Sequence, residues 1–502
     1  THEKVLRVLK QANYLSPKYH VVVANPPYMG SKGMNQELSA WAKENYPDSK
    51  SDLFAMFMER TLRLTVKRGI MAMINMQSWM FLSSYEKLRG KLLSNATLLT
   101  MAHIGTRGFD SIGGEIVSTT AFVFQNNYNL NHRGEFFRLV DGMSETEKSK
   151  MTKEAIANSD CGWLYRVSTN DLDKIPGSPI AYWVTPKTSN IFSSEPPISE
   201  NIVAKQGLGT GADHIFFRRF WEVSRRRFKT GCISSAEFWS KEGQRWIPLN
   251  KGGSFRKWSG NQEFIIKFNE SDRNILKTKG NQLPSENLYF KETISWSDIT
   301  SATNSFRFYP AGFIFSNTGH CAFHSTEDQK NLLLFYLNNK FVNSCSRILN
   351  PTMHFHVGYF NLLPYPSRLE KFNDAISLSI KKLIETHQKD WDAFETSWDF
   401  TTLSILSSKY RSSTLQNTYN SLRNHWQGMT DKMMCLEEEN NRIFIEAYEL
   451  QDELSSDVPI HEITLTCNPA YRYGKKVSKE VQEKRLREDT MKAFISYFVG
   501  CM

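Results

Sequence analysis

Asn25-Pro26-Pro27-Tyr28 directly follows the apolar run Val21-Val22-Val23-Ala24. Asparagine brings a side-chain carbonyl that accepts a hydrogen bond, and two successive prolines fix φ and remove two backbone donors. The result is a stiff, acceptor-rich loop closed by the flat face of Tyr28. Such a set suits a planar substrate that carries an amino group. The lone pair of an aromatic or amide amine is delocalised, so the nitrogen attacks poorly until both N–H groups are held by acceptors. Asn25 Oδ1 would take one and a carbonyl near Pro26 the other. Stacking on Tyr28 would add about 1–3 kcal/mol.

These residues need a platform, and the flanking sequence supplies one. Val21–Ala24 is expected as a buried strand ending in the loop. Ser51-Asp52 caps an amphipathic helix with Leu53, Phe54, Phe57, Met58 and Leu62 on its apolar face. Lys67-Arg68-Gly69 reads as its stop, with basic residues and a glycine. Ile70–Ile74 is the next strand, and Ser83 with Glu86 forms a capping box for a helix to about Leu93. Thr97–Ile104 and Val117–Phe124 are two further strands, expected as a hairpin that finishes a doubly wound α/β sheet. A doubly wound domain binds its cofactor on a glycine-rich turn after its first strand. The residues before Val21 contain no glycine, and His2–Gln11 reads as one amphipathic helix. The cofactor turn is therefore expected upstream or on another chain. Ala493–Phe498 reads as a helix cut short, so the chain is expected to be a piece of a longer enzyme that alone does not bind its cofactor with useful affinity.

At 502 residues the chain supports several domains, and 62 Lys+Arg against 52 Asp+Glu leaves +10, which suits a polyanionic partner. The seven scattered cysteines contain no CxxC pair and read as free thiols of a reducing cytoplasm. No apolar run reaches the ~18 residues expected of a membrane span.

The second half is basic and aromatic. Gln206-Gly207-Leu208-Gly209-Thr210-Gly211 lacks the Lys-Ser/Thr of a phosphate loop and reads as a turn. Arg218 and Arg219 within Phe216–Trp221, then Arg225 and Arg226, are candidate contacts to phosphates or guanine edges. Lys251-Gly252-Gly253-Ser254-Phe255-Arg256-Lys257-Trp258 is a second candidate duplex-facing segment through Lys251, Arg256 and Lys257. His354, His356, His320, Cys321 and Cys345 match no zinc-ligand frame, so no metal is expected. Two helices follow the Leu363-Pro364-Tyr365-Pro366 segment. Ser367 with Glu370 would cap the first. Leu415, Tyr419, Leu422, Trp426, Met429, Met433 and Leu436 give the second a 3.5-residue repeat.

The tetrapeptide resembles motif IV of amino-group methyltransferases that use S-adenosyl-L-methionine. The longer Val22–Asn35 stretch, Gln77–Phe81, Phe109–Glu115, Lys251-Gly252-Gly253 and Cys467–Tyr473 are similar to the PglX-type adenine methyltransferases of BREX phage-defence systems. One departure is His20, where that family usually has Asp. The resemblance implies site-specific adenine-N6 methylation of double-stranded DNA on a flipped base. Asn25, Pro26, Pro27 and Tyr28 would form the catalytic loop, and Phe109 would pack on the base opposite Tyr28. It also implies other defence proteins as partners. The expected fold is the C-terminal half of a Rossmann-like doubly wound methyltransferase sheet (1–135). A connecting region (136–199), an α+β target-recognition domain (200–366), a helical hairpin or spacer (367–455) and the start of a C-terminal region (456–502) would follow. A protein-glutamine methyltransferase shares the tetrapeptide, and a non-catalytic DNA-recognition subunit shares the basic half. Both remain open from the residues alone.

Overall fold

Apolar strands and capped helices alternate along the first third of the chain and assemble one sheet. The computed structural model describes residues 2–110, 117–240, 243–279, 281, 283–300, 303–350 and 353–502. The chain is mixed α/β with several sheets and divides into two units, Thr1–Ser194 with Ile348–Pro351, and Glu195–Arg347 with Thr352–Met502. No helix among the described residues is long and apolar enough to cross a membrane.

In the first unit, β1 (Tyr19–Ala24), β2 (Thr65–Met76), β3 (Thr97–Gly105), β4 (Thr119–Gln125), β5 (Arg133–Arg138) and β6 (Leu164–Ser168) form a sheet in the order β1-β2-β4-β3-β5-β6. β1 and β2 are parallel, as the intervening helix Leu53–Leu64 permits. β3 and β4 pair antiparallel, and β4 inserts between β3 and β2. Phe54, Met58, Trp79, Phe122 and Phe124 fill the core behind them. This burial is the main favourable term holding the sheet to its helices.

Four local expectations change. β1 is not buried: it pairs with β2 at one end of the sheet, with Val21 57% and Val23 72% exposed. Lys67-Arg68-Gly69 does not stop the helix, which ends at Leu64, but forms a bulge in β2. There the register with β1 jumps from Tyr19↔Thr65 to Val21↔Ile70, and Arg68 takes φ 66°. A Cβ on Gly69 would meet the His20 and Val66 carbonyl oxygens at 2.9 Å, so glycine serves close backbone approach here. Neither capping box forms, because short 3-10 turns, Ser83–Tyr85 and Ser367–Phe372, precede the helices Glu86–Asn95 and Asn373–Asp392. The connecting region expected at 136–199 is more than a link: past Gln125 the chain contributes β5, β6 and the helix Glu145–Ala157. Their short, half-polar strands gave weak alternation.

The second unit carries β7 (Val203–Lys205), β8 (Phe217–Arg219), β9 (Trp246–Asn250), β10 (Phe264–Lys267), β11 (Thr293–Ser297), β12 (Arg307–Tyr309), β13 (Ile314–Phe315) and β14 (Gly319–Phe323). They make two four-stranded sheets, β13-β9-β10-β8 and β12-β11-β14-β7. The Leu415–Ala447 helix is capped by Thr414 and packs on Asn373–Asp392, with Ser379 Oγ donating to Asn440 Oδ1 at 2.9 Å.

Candidate active site

The three strands β1, β2 and β3 run in the same direction, although β4 separates the last two. Ala24, Met73, Phe122 and Met101 share one row across the sheet. The loops that follow β1, β2 and β3 therefore leave one edge, the carboxyl edge where ligands of α/β sheets gather.

The loop after β1 buries Pro26 and exposes Asn25, Pro27 and Tyr28. Its far end is fastened by Asp52. The same Asp52 oxygen accepts the Met29 N–H at 2.9 Å and the Phe54 N–H at 3.3 Å. One buried carboxylate thus caps the Leu53–Leu64 helix and clamps the loop. Two main-chain bonds zip the segments together: Leu53 N–H to Met29 O at 3.1 Å, and Ser31 N–H to Ser51 O at 3.0 Å. The Tyr28 ring meets Phe54 edge-on at 6.0 Å, and Phe54 meets Tyr85 at 5.7 Å. Tyr28 stays 39% exposed. Burial, and then the Asp52 charge, raise its phenol pKa, so it remains a neutral ring.

The loop after β2 is a buried turn containing Trp79 and Met80. Arg89 pins it, donating to the carbonyls of Trp79 at 2.9 Å, Leu82 at 2.7 Å and Gly177 at 2.7 Å. Beneath the edge, His103 of β3 bridges Gln77 Oε1 at 2.8 Å and the Tyr182 hydroxyl at 3.0 Å. Burial, then Arg138 and Lys148, push its pKa down to about 3, so the ring is a neutral linker between the ends of β2 and β3.

The loop after β3 carries Phe109, half-buried. Asp110 and Glu145 exchange bonds, each carboxylate accepting the other's N–H at 3.2 and 3.3 Å. Ser111 to Glu115, which include Gly113 and Gly114, lie outside the described residues. Sequence reasoning found Asp52 as a cap and missed its second bond; it missed Arg89 and His103 altogether. A buried Arg among carbonyls leaves no local sequence signal.

The candidate duplex-facing residues divide. Arg219 is exposed, bonds Glu263 Oε2 at 3.0 Å and lies over Trp221 at 5.2 Å. Arg225 and Arg226 are exposed in a 3-10 turn, Arg225 donating to the Phe228 carbonyl at 3.1 Å. Arg218 turns back to the carbonyls of His214 and Phe217, both at 2.6 Å. Lys251 is half-buried over the Phe217 ring and lies 3.4 Å from Asp213.

Arg256 and Lys257 require correction: each is only 4% exposed. Lys257 Nζ donates to Glu437 Oε2 at 2.7 Å, while the Trp258 indole takes Glu437 Oε1 at 2.7 Å. Arg256 donates to Thr466 Oγ1 at 2.6 Å and faces Asp390 at 3.6 Å. Both cations are enclosed and paired, so they serve the interior of their unit rather than a duplex.

Residues 4–109 match the family model described as Eco57I restriction-modification methylase. Among solved structures, the chain is similar to the Type IIL restriction-modification enzyme MmeI in complex with DNA (TM-score 0.47, 11% identity, 86% of this chain and 57% of that one). It is 38% identical over 501 residues to the adenine-specific methyltransferase BrxX of Escherichia coli O9:H4 (strain HS), covering 99% of this chain and 39% of that protein. It is 36% identical over 513 residues to the adenine-specific methyltransferase PglX of Lacticaseibacillus casei (strain Zhang), covering 100% of this chain and 41% of that protein. Along its whole length, then, the chain is homologous to the BrxX and PglX adenine-specific methyltransferases, of which it spans about two fifths.

Proposed function

We propose that the full-length protein methylates the N6 amine of an adenine flipped out of double-stranded DNA, with S-adenosyl-L-methionine as donor, in a phage-defence modification system of the bacterial cytoplasm. The observation that carries this reading is the exposed Asn25–Tyr28 loop, clamped by Asp52 at the carboxyl edge of β1. A base must leave the stack before an enzyme can reach its amine. Asn25 Oδ1 and the Pro26 carbonyl accept hydrogen bonds from the two amine N–H groups, which localises the lone pair on nitrogen; as the N–C bond forms the methyl–sulfur bond of the donor breaks, and the nitrogen then gives up one proton to solvent. Tyr28, braced by Phe54, takes one face of the adenine.

Phe109 takes the other face. The roots of the two loops are three strand spacings apart, roughly 14 Å at ~4.8 Å each, whereas rings that sandwich a base stand about 7 Å apart. The loop after β3 must therefore lean over the sheet edge. In this reading β1–β6 is the later half of a doubly wound methyltransferase sheet, and residues 200–366 select the target. Arg218, Arg219, Arg225, Arg226 and Lys251 are left as the groups that meet DNA. The methyl donor supplies the transferred carbon. Residues 2–24, a helix followed by β1 with no glycine, do not form the glycine-rich turn that would hold it.

Long-read sequencing of DNA from cells carrying the full-length gene tests the assignment. One modified adenine motif is expected, with Asn25→Ala lowering its methylation rate by about 10²–10³, the typical cost of removing one preorganised hydrogen-bond partner. Unmodified adenines with phage protection intact would point to a recognition subunit. Methylated release factor with unmodified DNA would point to glutamine as substrate. Either result defeats the proposal.

A further inference from the structure

Far from the Asn25 loop in sequence, two stretches of the second unit bring three metal-binding side chains together. Asp298 follows β11, and its backbone is tied on both sides: its N–H donates to Thr318 O at 3.0 Å and its carbonyl accepts the Phe355 N–H at 2.8 Å. An antiparallel bridge joins Ile299 to His354. Extended backbone alternates its side chains between faces. Phe355 is accordingly buried, its carbonyl accepting the Trp296 indole N–H at 2.7 Å, whereas His354 and His356 share the opposite face. Their rings stack at 5.1 Å. The Asp298 carboxylate meets both: Oδ2 is 3.1 Å from His354 Nδ1 and Oδ1 is 2.7 Å from His356 Nδ1. One ligand atom from each of the three lies within 4.8 Å of the other two. Behind them, buried His320 of β14 places Nε2 3.2 Å from Asp298 Oδ1.

We propose that Asp298, His354 and His356 bind one divalent first-row transition ion, with Zn2+ the expected occupant, and that His320 is the positioning residue that holds the carboxylate. Two imidazole nitrogens with one carboxylate oxygen suit Zn2+ and its neighbours, whereas Ca2+ and Mg2+ want shells of oxygens. A tetrahedral ion with bonds of ~2.1 Å holds its ligands about 3.4 Å apart; here the two nitrogen–oxygen contacts are 3.1 and 2.7 Å, and the three ligand atoms lie within 4.8 Å of one another. Binding replaces the two Nδ1···O contacts with two nitrogen–metal bonds, and each neutral ring then carries its single proton on Nε2, the proton having moved there from Nδ1 through water. Water fills the fourth position. The ion would fasten the 353–356 segment to the end of β11 as a structural clip.

The test uses full-length protein without a histidine tag, stripped by chelator and titrated with Co2+ and then Zn2+. One equivalent of Co2+ should give visible d–d absorption that Zn2+ displaces, and Zn2+ should raise the melting temperature. The double variant His354→Ala/His356→Ala should lose both effects. Both rings are half-exposed, so its metal-free circular dichroism should match the parent's. His320→Ala should weaken Co2+ binding about 10–100-fold, with His320→Gln weakening it less. Absent Co2+ absorption in the parent, or absorption and thermal shift that persist in the double variant, overturns the proposal.

Discussion

The two basic segments of the second unit have similar composition and opposite fates. Residues 218–227 present Arg219, Arg225 and Arg226 to solvent, whereas residues 251–258 turn Arg256 and Lys257 inward onto Asp390 and Glu437. Neither charge nor neighbouring aromatics decides between them. The decision lies with acids carried by the two long helices, and Glu437 stands 180 residues from Lys257. A cation that finds such a partner belongs to the interior. One that bonds only nearby carbonyls or a surface carboxylate remains available to an anionic ligand.

The largest expected effect follows from separating the enclosed pair. Lys257→Ala leaves the Glu437 carboxylate buried with only the Trp258 indole, and should cost about 3–5 kcal/mol of unfolding free energy in chemical denaturation. Arg225→Ala should stay within ~0.5 kcal/mol. Equal losses would erase the distinction.

A smaller effect comes from acid. Burial, followed by the nearby Arg256 and Lys257 charges, brings the His387 pKa down to about 3 against an opposing bond to the Leu383 carbonyl. The unfolded chain takes up this proton near pH 6.5 and the folded chain does not. The stability contribution is therefore full above pH 6.5 and lost as pH falls toward 3, at about 1.4 kcal/mol per pH unit. His103 behaves alike in the first unit. His387→Gln should flatten the pH profile of unfolding by one proton; an unchanged slope would show that burial does not keep this ring from taking up a proton in the folded chain.

The smallest change in stability should accompany the clearest change in binding. Arg225→Ala/Arg226→Ala should lower the salt dependence of DNA affinity by about one counterion per arginine while unfolding is unaffected. Unaltered salt dependence in a titration across ionic strength would remove the 218–227 segment from the DNA-facing surface.

What could be read from sequence was local. The Val21–Ala24 strand, the proline loop and the Asp52 cap announce themselves by residue type alone. Lys67-Arg68-Gly69 did not, because a helix stop and a β-bulge use the same glycine, and only pairing with Tyr19 and Val21 chooses between them. Arg256 and Lys257 were misread for the same reason: burial is a property of the partner. His354 and His356 fit no ligand spacing, since their carboxylate lies 56 residues before His354 and is delivered by sheet geometry.

The insertion of β4 between β2 and β3 sets a schedule for synthesis. A nascent chain that has not reached Thr119 leaves β2 and β3 each without its neighbour, so the platform beneath the Asn25 loop is unfinished. The roughly 100 residues from Asn25 to Gln125 take on the order of 5–20 s at ~5–20 residues per second. The loop is thus made early and supported late: β1 can pair once β2 ends at Met76, but β2 gains its second neighbour only when β4 follows.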